Sequence, residues 1–319
     1  MVEVVWSYRG NLFMIIKQSK MLSEKERKKY HKWRLRILFS VILGYATYYL
    51  CRQNFSVIMP IIMTEFNYSK TQMGYILALS SMVYGIGKFI NGYISDKSNA
   101  RYFMPIGLFI SAIISFSMGF MTSLYAIGIL WCFNNWFQSM GWPPVARILT
   151  HWFAKQEIGV KWAYGSASHQ VGGAFTLVFT SYLANKYGWQ FGFFIPAIIA
   201  IVISYLLFFL LRESPKSVGL IDVERYKQEA MIKKRHMELN DNYYHYDDNL
   251  DNNTKNINHN TISNKDSEED HLSTADIISK VFLNINIWYI GFANMFLYIV
   301  RFGVISWGPL YLKKQKLLI

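Results

Sequence analysis

The stretch GYATYYLCRQNFSVIMP, residues 44–60, lies inside a long apolar run, residues 36–62. A helix of roughly 20 mostly apolar residues crosses a bilayer core about 30 Å thick, so this run predicts a membrane-spanning helix. Arg52 lies well inside the run, far from both ends. Helical spacing also predicts that this helix has one polar face, directed at other protein rather than at lipid. That face carries Tyr45, Tyr48, Tyr49, Arg52 and Ser56.

Other parts of the chain repeat this apolar pattern. Of the 319 residues, 52% are hydrophobic, which is more than an ordinary soluble domain carries. The predicted fold is therefore all-α, a polytopic membrane protein. Seven stretches are long enough to cross a bilayer: 36–62, 73–94, 102–122, 124–149, 162–184, 190–211 and 284–310.

The stretches predict four parts of the chain. Residues 1–35 form a basic segment, with Met1 or Met21 as the start, and 36–212 form a six-helix membrane domain. Residues 213–280 are polar and Asn-rich without apolar periodicity, which predicts a flexible linker. Residues 281–319 hold one further helix, the first of an incomplete second membrane domain.

Lys and Arg alternate between the two sides of the predicted spans. The basic connectors are KERKKYHKWRLR, DKSNAR, HWFAKQEIGVK and RESPKS, whereas EFNYSKTQ, the turn near Thr122 and NKYGWQ are nearly free of Arg. Cytoplasmic loops of membrane proteins carry the excess of basic residues. The N-terminus and the linker are therefore predicted to be cytoplasmic, in a multi-pass protein of a cell membrane.

Several classes of function are not favoured by the sequence. The net charge of +13 is spread over short connectors rather than gathered in one patch with aromatics, so nucleic acid is not a predicted partner. Cys51 and Cys132 lack metal-type or disulfide spacing. No nucleophile–base pair or phosphate loop stands out, so the sequence predicts no enzyme activity, no cofactor and no metal.

Three cationic residues lie deep in predicted spans, namely Arg52, Lys88 and Arg301, and His169 is a fourth ionisable group. A charged side chain at the centre of a membrane helix costs about 2.5–3.5 kcal/mol on insertion scales, so it usually faces a cavity or a partner. Polar residues share their helix faces: Ser81 and Tyr84; Asn134, Gln138 and Gly141; Ser166 and Gly173; Asn294 and Tyr298.

These groups predict a wet cavity that binds an anion. No Asp or Glu lies deep in any span, so the counter-charge would come from outside. The planar fork of Arg matches phosphate, which makes phosphate the first choice and a carboxylate the second. Simpler readings stay open: Lys88 could reach an interface, His169 could be a hydrogen-bonded core residue, and the tyrosines could be packing residues.

The third span has small residues at every fourth position, Gly107, Ser111, Ser115 and Gly119. Such a seam lets neighbouring helices approach closely, so we expect it to pack against other helices.

Several stretches together resemble the organophosphate:phosphate antiporter family of the major facilitator superfamily, which includes glycerol-3-phosphate, hexose-phosphate and phosphoglycerate transporters. The similar region runs from about residue 30 to residue 312, outside the linker. The stretches are GYATYYLCRQNFSVIMP, YGIGKFINGYISDKSNARYFMPIGL, NNWFQSMGWPPVARILTHWF, SASHQVGGA, RESPKSVGL and WYIGFANMFLYIVRFGVISWGPLYL.

The resemblance implies a function and assigns roles. It implies exchange of a phosphate ester for inorganic phosphate by rocking of two six-helix halves around a midplane site in a bacterial inner membrane. The family's two phosphate-binding arginines match Arg52 and Arg301, its second-helix lysine matches Lys88, and its fifth-helix histidine matches His169. GYISDKSNAR fits the superfamily's signature after the second helix, whose role is conformational; its residues are Gly92, Asp96, Lys97 and Arg101.

The chain also departs from the family pattern. Gln53, Gln170, Ile158 and Ser306 replace the family's Lys, Asn, Arg and Asp, and the first and last are near the expected site. The family has twelve spans and this chain has seven, as a frameshift or premature stop would leave.

Three hypotheses follow from these features: a phosphate-ester transporter, a hexose-phosphate sensor from a receptor-like branch of the family, and a non-functional remnant. A functional short form is expected to need a second chain that supplies the missing helices. The sequence does not decide which phosphate ester is the substrate.

Overall fold

The structure is a computed structural model that describes residues 23–227, 229–230 and 283–314. The predictions for residues 1–22, including the Met21 start, for the linker from residue 231 to 280, and for the tail from residue 315 lie outside the described residues. The chain divides into two compact units, residues 1–235 and 236–319, each described here by itself.

The regular structure of the described residues is helical throughout, as the sequence predicts. The first unit also contains a short 3₁₀ helix, Pro215–Val218. Its α-helices are α1 (Glu24–Glu65), α2 (Lys70–Lys97), α3 (Ala100–Met118), α4 (Leu124–Gln138), α5 (Trp142–Trp152), α6 (Lys155–Tyr187) and α7 (Phe191–Leu210).

Local sequence signals set where the first two helices begin. Ser23 and Glu26 form a capping box at the start of α1, and Ser69 and Gln72 form another at the start of α2. In each box, both side chains satisfy backbone N–H groups that a helix end leaves without partners. Only the four residues 66–69 separate α1 from α2.

The predicted span 124–149 is not one continuous helix. It is divided into α4 and α5 at residues 139–141, because Pro143 and Pro144 lie in the first turn of α5 and have no N–H to donate four residues back. Gly141 lies against α1, where an added Cβ would be 3.3 Å from ring atoms of Tyr48. The sequence predicted one span here because both helices are apolar and hydropathy does not separate them.

The helices of the first unit pack closely through small residues. A Cβ on Gly107 would lie 2.6 Å from the Tyr48 hydroxyl, and one on Gly119 would lie 2.3 Å from Phe194. These distances confirm that the small residues of the third predicted span, now α3, form a packing seam. An equally close contact joins α6 to α1, where a Cβ on Gly172 would lie 2.8 Å from a backbone oxygen of α1.

Four helices among the described residues are long and apolar enough to cross a membrane: Lys70–Lys97, Ala100–Met118, Phe191–Leu210 and Ile285–Leu312. The remaining predicted spans coincide with α1, with α4 plus α5, and with α6. The reasons differ: α4 and α5 have only 15 and 11 residues, α1 carries Arg52, Gln53 and Asn54 in its middle, and α6 carries many Gly and Ser residues.

One end of the bundle, which we call the charged end, holds Arg34, Arg36, Arg101, Arg147 and Arg212. It includes the start of α1, the end of α2 and the end of α7. The charged end coincides with the side that the basic connectors predict to be cytoplasmic, and that orientation stays a prediction.

The first part of the predicted linker packs onto this charged end. Leu220 and Val223 are buried there, and the Tyr226 ring stacks on Tyr30 with 4.0 Å between centroids. The Trp152 indole donates to the Arg212 carbonyl at 3.0 Å. The segment up to residue 230 is therefore part of the folded bundle, whereas the domain boundary itself stays a prediction.

The second unit contains one described helix, α8 (Ile285–Lys314). Pro309 lies inside it, and the helix covers the predicted seventh span, 284–310.

Candidate functional site

Two helices of the first unit bring Arg52 and Tyr84 together. Arg52 extends from the middle of α1, and its Nη1 donates a 2.9 Å hydrogen bond to the Tyr84 hydroxyl of α2. Its guanidinium carbon is also 4.0 Å from the centroid of the Tyr84 ring. The phenol thus binds the cation by its oxygen and by its π face, an arrangement that suits a charge in apolar surroundings.

Lys88 approaches the same ring from within α2. It follows Tyr84 by one helical turn, so the two side chains share a face, and its Nζ is 4.8 Å from the ring centroid. The Lys88 side chain is exposed and that of Arg52 is half-buried. Two positive charges therefore converge on one tyrosine.

His169 joins this group from α6. Its ring is 5.3 Å from Tyr49 and 5.9 Å from Tyr45, centroid to centroid, and Tyr49 in turn lies 5.7 Å from the Arg52 guanidinium carbon. The close approach of α6 to α1 at Gly172, one turn beyond His169, brings the histidine within this distance. We call this set the cationic cluster; it consists of Tyr45, Tyr49, Arg52, Tyr84, Lys88 and His169.

The structure places three other predicted site residues in contacts between helices. Tyr48 is buried and donates to the Met104 carbonyl at 2.7 Å. Asn134 and Gln138 are buried on α4 and both bind the Ser111 hydroxyl, at 2.6 and 2.7 Å. The Asn134 amide also donates to the Cys51 carbonyl at 2.9 Å. These contacts join α1, α3 and α4, and a role of the three residues in substrate binding stays a prediction.

Arg301 and Tyr298 lie on α8 in the second unit. The Arg301 guanidinium carbon is 5.7 Å from the centroid of the Tyr298 ring, which follows from their spacing of three residues on a helix. Asn294 on the same helix donates to the Ile290 carbonyl at 3.0 Å.

The predicted conformational residues lie around the end of α2. Lys97 donates to the Tyr93 hydroxyl one turn earlier, and the Asp96 carbonyl accepts from Arg147 at 2.7 Å. Arg101 reaches across to α7 and donates to the Phe208 carbonyl with two nitrogens. A Cβ on Gly92 would meet no described atom within 4 Å.

Arg147 is a structural residue that the sequence reasoning missed. Its Nη1 donates to the carbonyls of Ser95, Asp96 and Ser98, and its Nη2 forms a 2.8 Å ion pair with Glu213. The cation thereby caps the end of α2, where helix carbonyls concentrate negative charge. The sequence does carry a sign of this role, because Arg147 is a charged residue in an apolar helix shortly after two prolines.

The sequence reasoning also missed two tryptophans beside the cationic cluster. Trp142 of α5 lies 5.0 Å from Tyr45, and Trp162 of α6 lies 5.3 Å from Trp142, measured between ring centroids. Among the residues that the structure describes, no group of three or more His, Cys, Asp or Glu could hold a metal ion.

Residues 41–318 match the family described as Major Facilitator Superfamily. The chain belongs to this family. It is accordingly a multi-pass membrane protein of a transport family and not an enzyme. The fold agrees with this, because a structure titled as a bacterial homolog to the human lysosomal transporter Spinster, inward-facing and unoccupied, aligns with a TM-score of 0.61. That alignment covers 88% of this chain and 55% of the other, at 14% identity.

The curated relatives confirm the predicted resemblance to the organophosphate:phosphate antiporter family. The chain is 37% identical over 300 residues to a probable hexose phosphate transport protein of Chlamydia trachomatis, covering 93% of this chain and 61% of that protein. It is 39% identical to the glycerol-3-phosphate transporter of Bacillus subtilis, covering 90% and 59%. A third relative, the membrane sensor protein UhpC of Escherichia coli, is 34% identical, covering 90% and 58%. The chain thus spans about three-fifths of the length of the curated relatives it matches.

Proposed function

We propose that the chain acts in transport of a phosphorylated organic anion, a hexose phosphate or glycerol-3-phosphate, in exchange for inorganic phosphate. The observation that carries this proposal is the convergence of Arg52 and Lys88 on the ring of Tyr84.

The electrostatics of the cationic cluster favour an anion. Arg52 and Lys88 repel each other, and repulsion is stronger in the low dielectric of a membrane protein than in water. An anion bound between them lowers that energy. The guanidinium fork donates two parallel hydrogen bonds to phosphate, which a spherical anion cannot accept in the same way.

The other members of the cluster fit the same ligand. Tyr49 and Tyr84 offer hydroxyl groups and His169 offers ring nitrogens, all on the side of α1 that carries Arg52. A phosphate ester presents oxygens for each of these donors. Two relatives, a probable hexose phosphate transport protein and a glycerol-3-phosphate transporter, support this ligand class.

The remaining parts of the proposal come from the family resemblance. They are the binding of phosphate by Arg301 together with Arg52, the exchange mechanism by alternating access, and the placement of the N-terminus and linker in the cytoplasm of a bacterium. The conformational role of Gly92, Asp96, Lys97 and Arg101 belongs with them.

The test is exchange of labelled phosphate by the purified chain in proteoliposomes, together with phosphate-ester binding in detergent. We expect hexose phosphate or glycerol-3-phosphate to raise the melting temperature, and Arg52→Lys to abolish both binding and exchange, since Lys loses the bidentate geometry. Arg225→Lys is the matched control, because Arg225 is 60% exposed in its side chain and lies outside the cluster. Binding and exchange that survive Arg52→Lys would refute the assignment of the site.

A second candidate function is sensing of a hexose phosphate. It is favoured by the 34% identity to the membrane sensor protein UhpC. Binding that depends on Arg52 but is accompanied by no exchange in the same proteoliposomes would support the sensor, whereas exchange by this chain alone counts against it.

A further inference from the structure

Three arginines of the charged end converge on the end of α7. Arg36 donates to the Phe209 carbonyl at 2.6 Å, and Arg101 donates to the Phe208 carbonyl at 3.1 and 3.2 Å. Arg212 donates to the carbonyls of Leu211 and Phe209 at 2.7 and 3.2 Å. Three different segments, from α1, α3 and the residues after α7, thus bring their cations to one helix end.

Neighbouring protein groups neutralise little of the positive charge of these three arginines. A helix C-terminus carries about half a negative charge, which does not neutralise three guanidinium groups. In the described part of the chain, none of the three forms an ion pair with a carboxylate, and the neighbouring Glu213 is paired with Arg147. Burial, then repulsion from Arg101 and Arg36, holds the pKa of Arg212 below its usual range. The three arginines at the end of α7 therefore carry a net positive charge.

A basic groove continues from this cluster along the start of α1. Trp33 links the two, because the guanidinium carbons of Arg36 and Arg212 lie 4.6 and 5.7 Å from its ring centroid. The groove has a volume of about 730 Å³. Among the described residues, its lining is five basic side chains, one acid and one tryptophan, namely Lys25, Lys28, Lys29, Lys32, Arg36, Glu24 and Trp33.

The surface beside the three arginines is apolar and exposed. Leu35 is 55% exposed, Phe39 62% and Phe209 53%, and each is one to three residues from Arg36 or Arg212. In a membrane protein such side chains face acyl chains, while Trp and basic residues lie at headgroup level. A ligand at this place has room for a negative headgroup on the cations and an apolar tail below them.

We propose that Arg36, Arg101, Arg212 and the adjoining groove bind the headgroup phosphate of an anionic phospholipid. The exposed apolar side chains favour a lipid over a free phosphate ester, which has no tail to place there. The site is separate from the cationic cluster and does not depend on the proposed transport function. It would fix the charged end of the bundle at the surface of an anionic leaflet.

Native mass spectrometry of the purified full chain tests the proposal with phosphatidylglycerol and with phosphatidylcholine of the same acyl chains. We expect phosphatidylglycerol to bind at least about tenfold more tightly, since each basic residue near an anionic surface contributes to the attraction. The triple variant Arg36→Gln, Arg101→Gln, Arg212→Gln should lose this preference, because Gln keeps a donor for the carbonyls but not the charge. The triple Arg→Lys variant should keep most of it.

The matched control is Lys70→Gln with Lys186→Gln, which removes positive charge at the opposite end and should leave the preference unchanged. Equal binding of the two lipids to the unmodified chain would overturn the proposal, and so would a preference that survives in the triple Gln variant. Loss of bound phosphatidylglycerol to millimolar inorganic phosphate would show that free phosphate is the ligand instead. If the triple Gln variant is not monodisperse, Arg212→Gln replaces it, since the hydrogen bonds of that side chain to described residues go to nearby carbonyls of its own segment.

Discussion

Two arginines on α1 lie in opposite electrostatic environments. Arg34, at the charged end, forms an ion pair with Glu157, which Lys227 also approaches at 3.9 Å. Arg52, five turns further along, contacts the hydroxyl and ring of Tyr84, which a second cation, Lys88, also approaches. In the first environment Arg34 and Lys227 share a carboxylate, whereas in the second Arg52 and Lys88 approach one tyrosine ring.

Under the proposed function, this difference separates a structural role from a ligand-binding role for the same residue type. The ion pairs Arg34–Glu157 and Arg147–Glu213 at the charged end join helices and the segment that follows α7, so their loss should appear as lost stability. The cationic cluster is proposed to bind an anion, so the loss of one of its residues should appear as lost binding. Three measurements test this difference.

The largest effect is expected for Arg147→Gln. The change removes the ion pair with Glu213 and most of the cap on α2, at side chains that are only 24% and 19% exposed. We expect a loss of about 2–3 kcal/mol in the free energy of unfolding, measured by denaturation in detergent. Lys28→Gln is the control, because its pair with Glu24 is 74% and 82% exposed and is worth about 0.5 kcal/mol or less. Equal effects of the two variants would contradict a structural role for Arg147.

A smaller effect, on binding rather than on stability, is expected for Tyr84→Phe. The ring stays in place, but Arg52 loses the hydroxyl that accepts its 2.9 Å hydrogen bond. We expect phosphate-ester binding to weaken by about tenfold through looser positioning of Arg52, measured by titration calorimetry. Tyr182→Phe serves as control, since Tyr182 accepts a similar bond from Lys186 on the surface of α6. Unchanged affinity with reduced stability would make Tyr84 a packing residue.

The smallest effect concerns the pH dependence of stability. Burial alone would raise the pKa of the Glu157 carboxyl, but the hydrogen bond and charge of Arg34, with the charge of Lys227, hold that pKa below its usual range. A carboxyl whose pKa is lower in the folded state stabilises the fold at pH values above its unfolded pKa, which is about 4.3. This contribution is lost as the pH falls through the folded pKa. Melting curves between pH 7 and pH 3 should show this loss, and Glu157→Gln should lack it. If the melting temperatures of the unmodified chain and of Glu157→Gln fall in parallel with pH, Glu157 does not contribute to the loss of stability in acid.

Features that depend on local sequence could be predicted. Hydropathy located the long helices of the described part of the chain, although it joined α4 and α5 into one span. The 3.6-residue period placed Tyr84 and Lys88 on one face of α2. The same period placed Asn134 and Gln138 together on α4, but it does not say which neighbour they meet. That depends on packing in three dimensions, which directs them to Ser111 instead of the cationic cluster.

The segment after α7 shows a second limit of the sequence. Residues 213–230 are mostly polar, and their scattered apolar residues, among them Leu220, Val223 and Tyr226, give too weak a period to predict packing. They pack because the charged end offers Tyr30 and Trp152 as an aromatic surface. Arg147 was missed for the same reason, since the carbonyls and carboxylate that it binds come from distant parts of the sequence.

The contact of Gly172 with the backbone of Ala46 also bears on how the first unit can move. A Cβ at Gly172 would lie only 2.8 Å from the Ala46 oxygen, so no side chain separates α1 from α6 at this point. We therefore expect α1 and α6 to move together, with little change in the distance between Arg52 and His169. On that expectation, a displacement inside the cationic cluster would come from α2, which carries Tyr84 and Lys88.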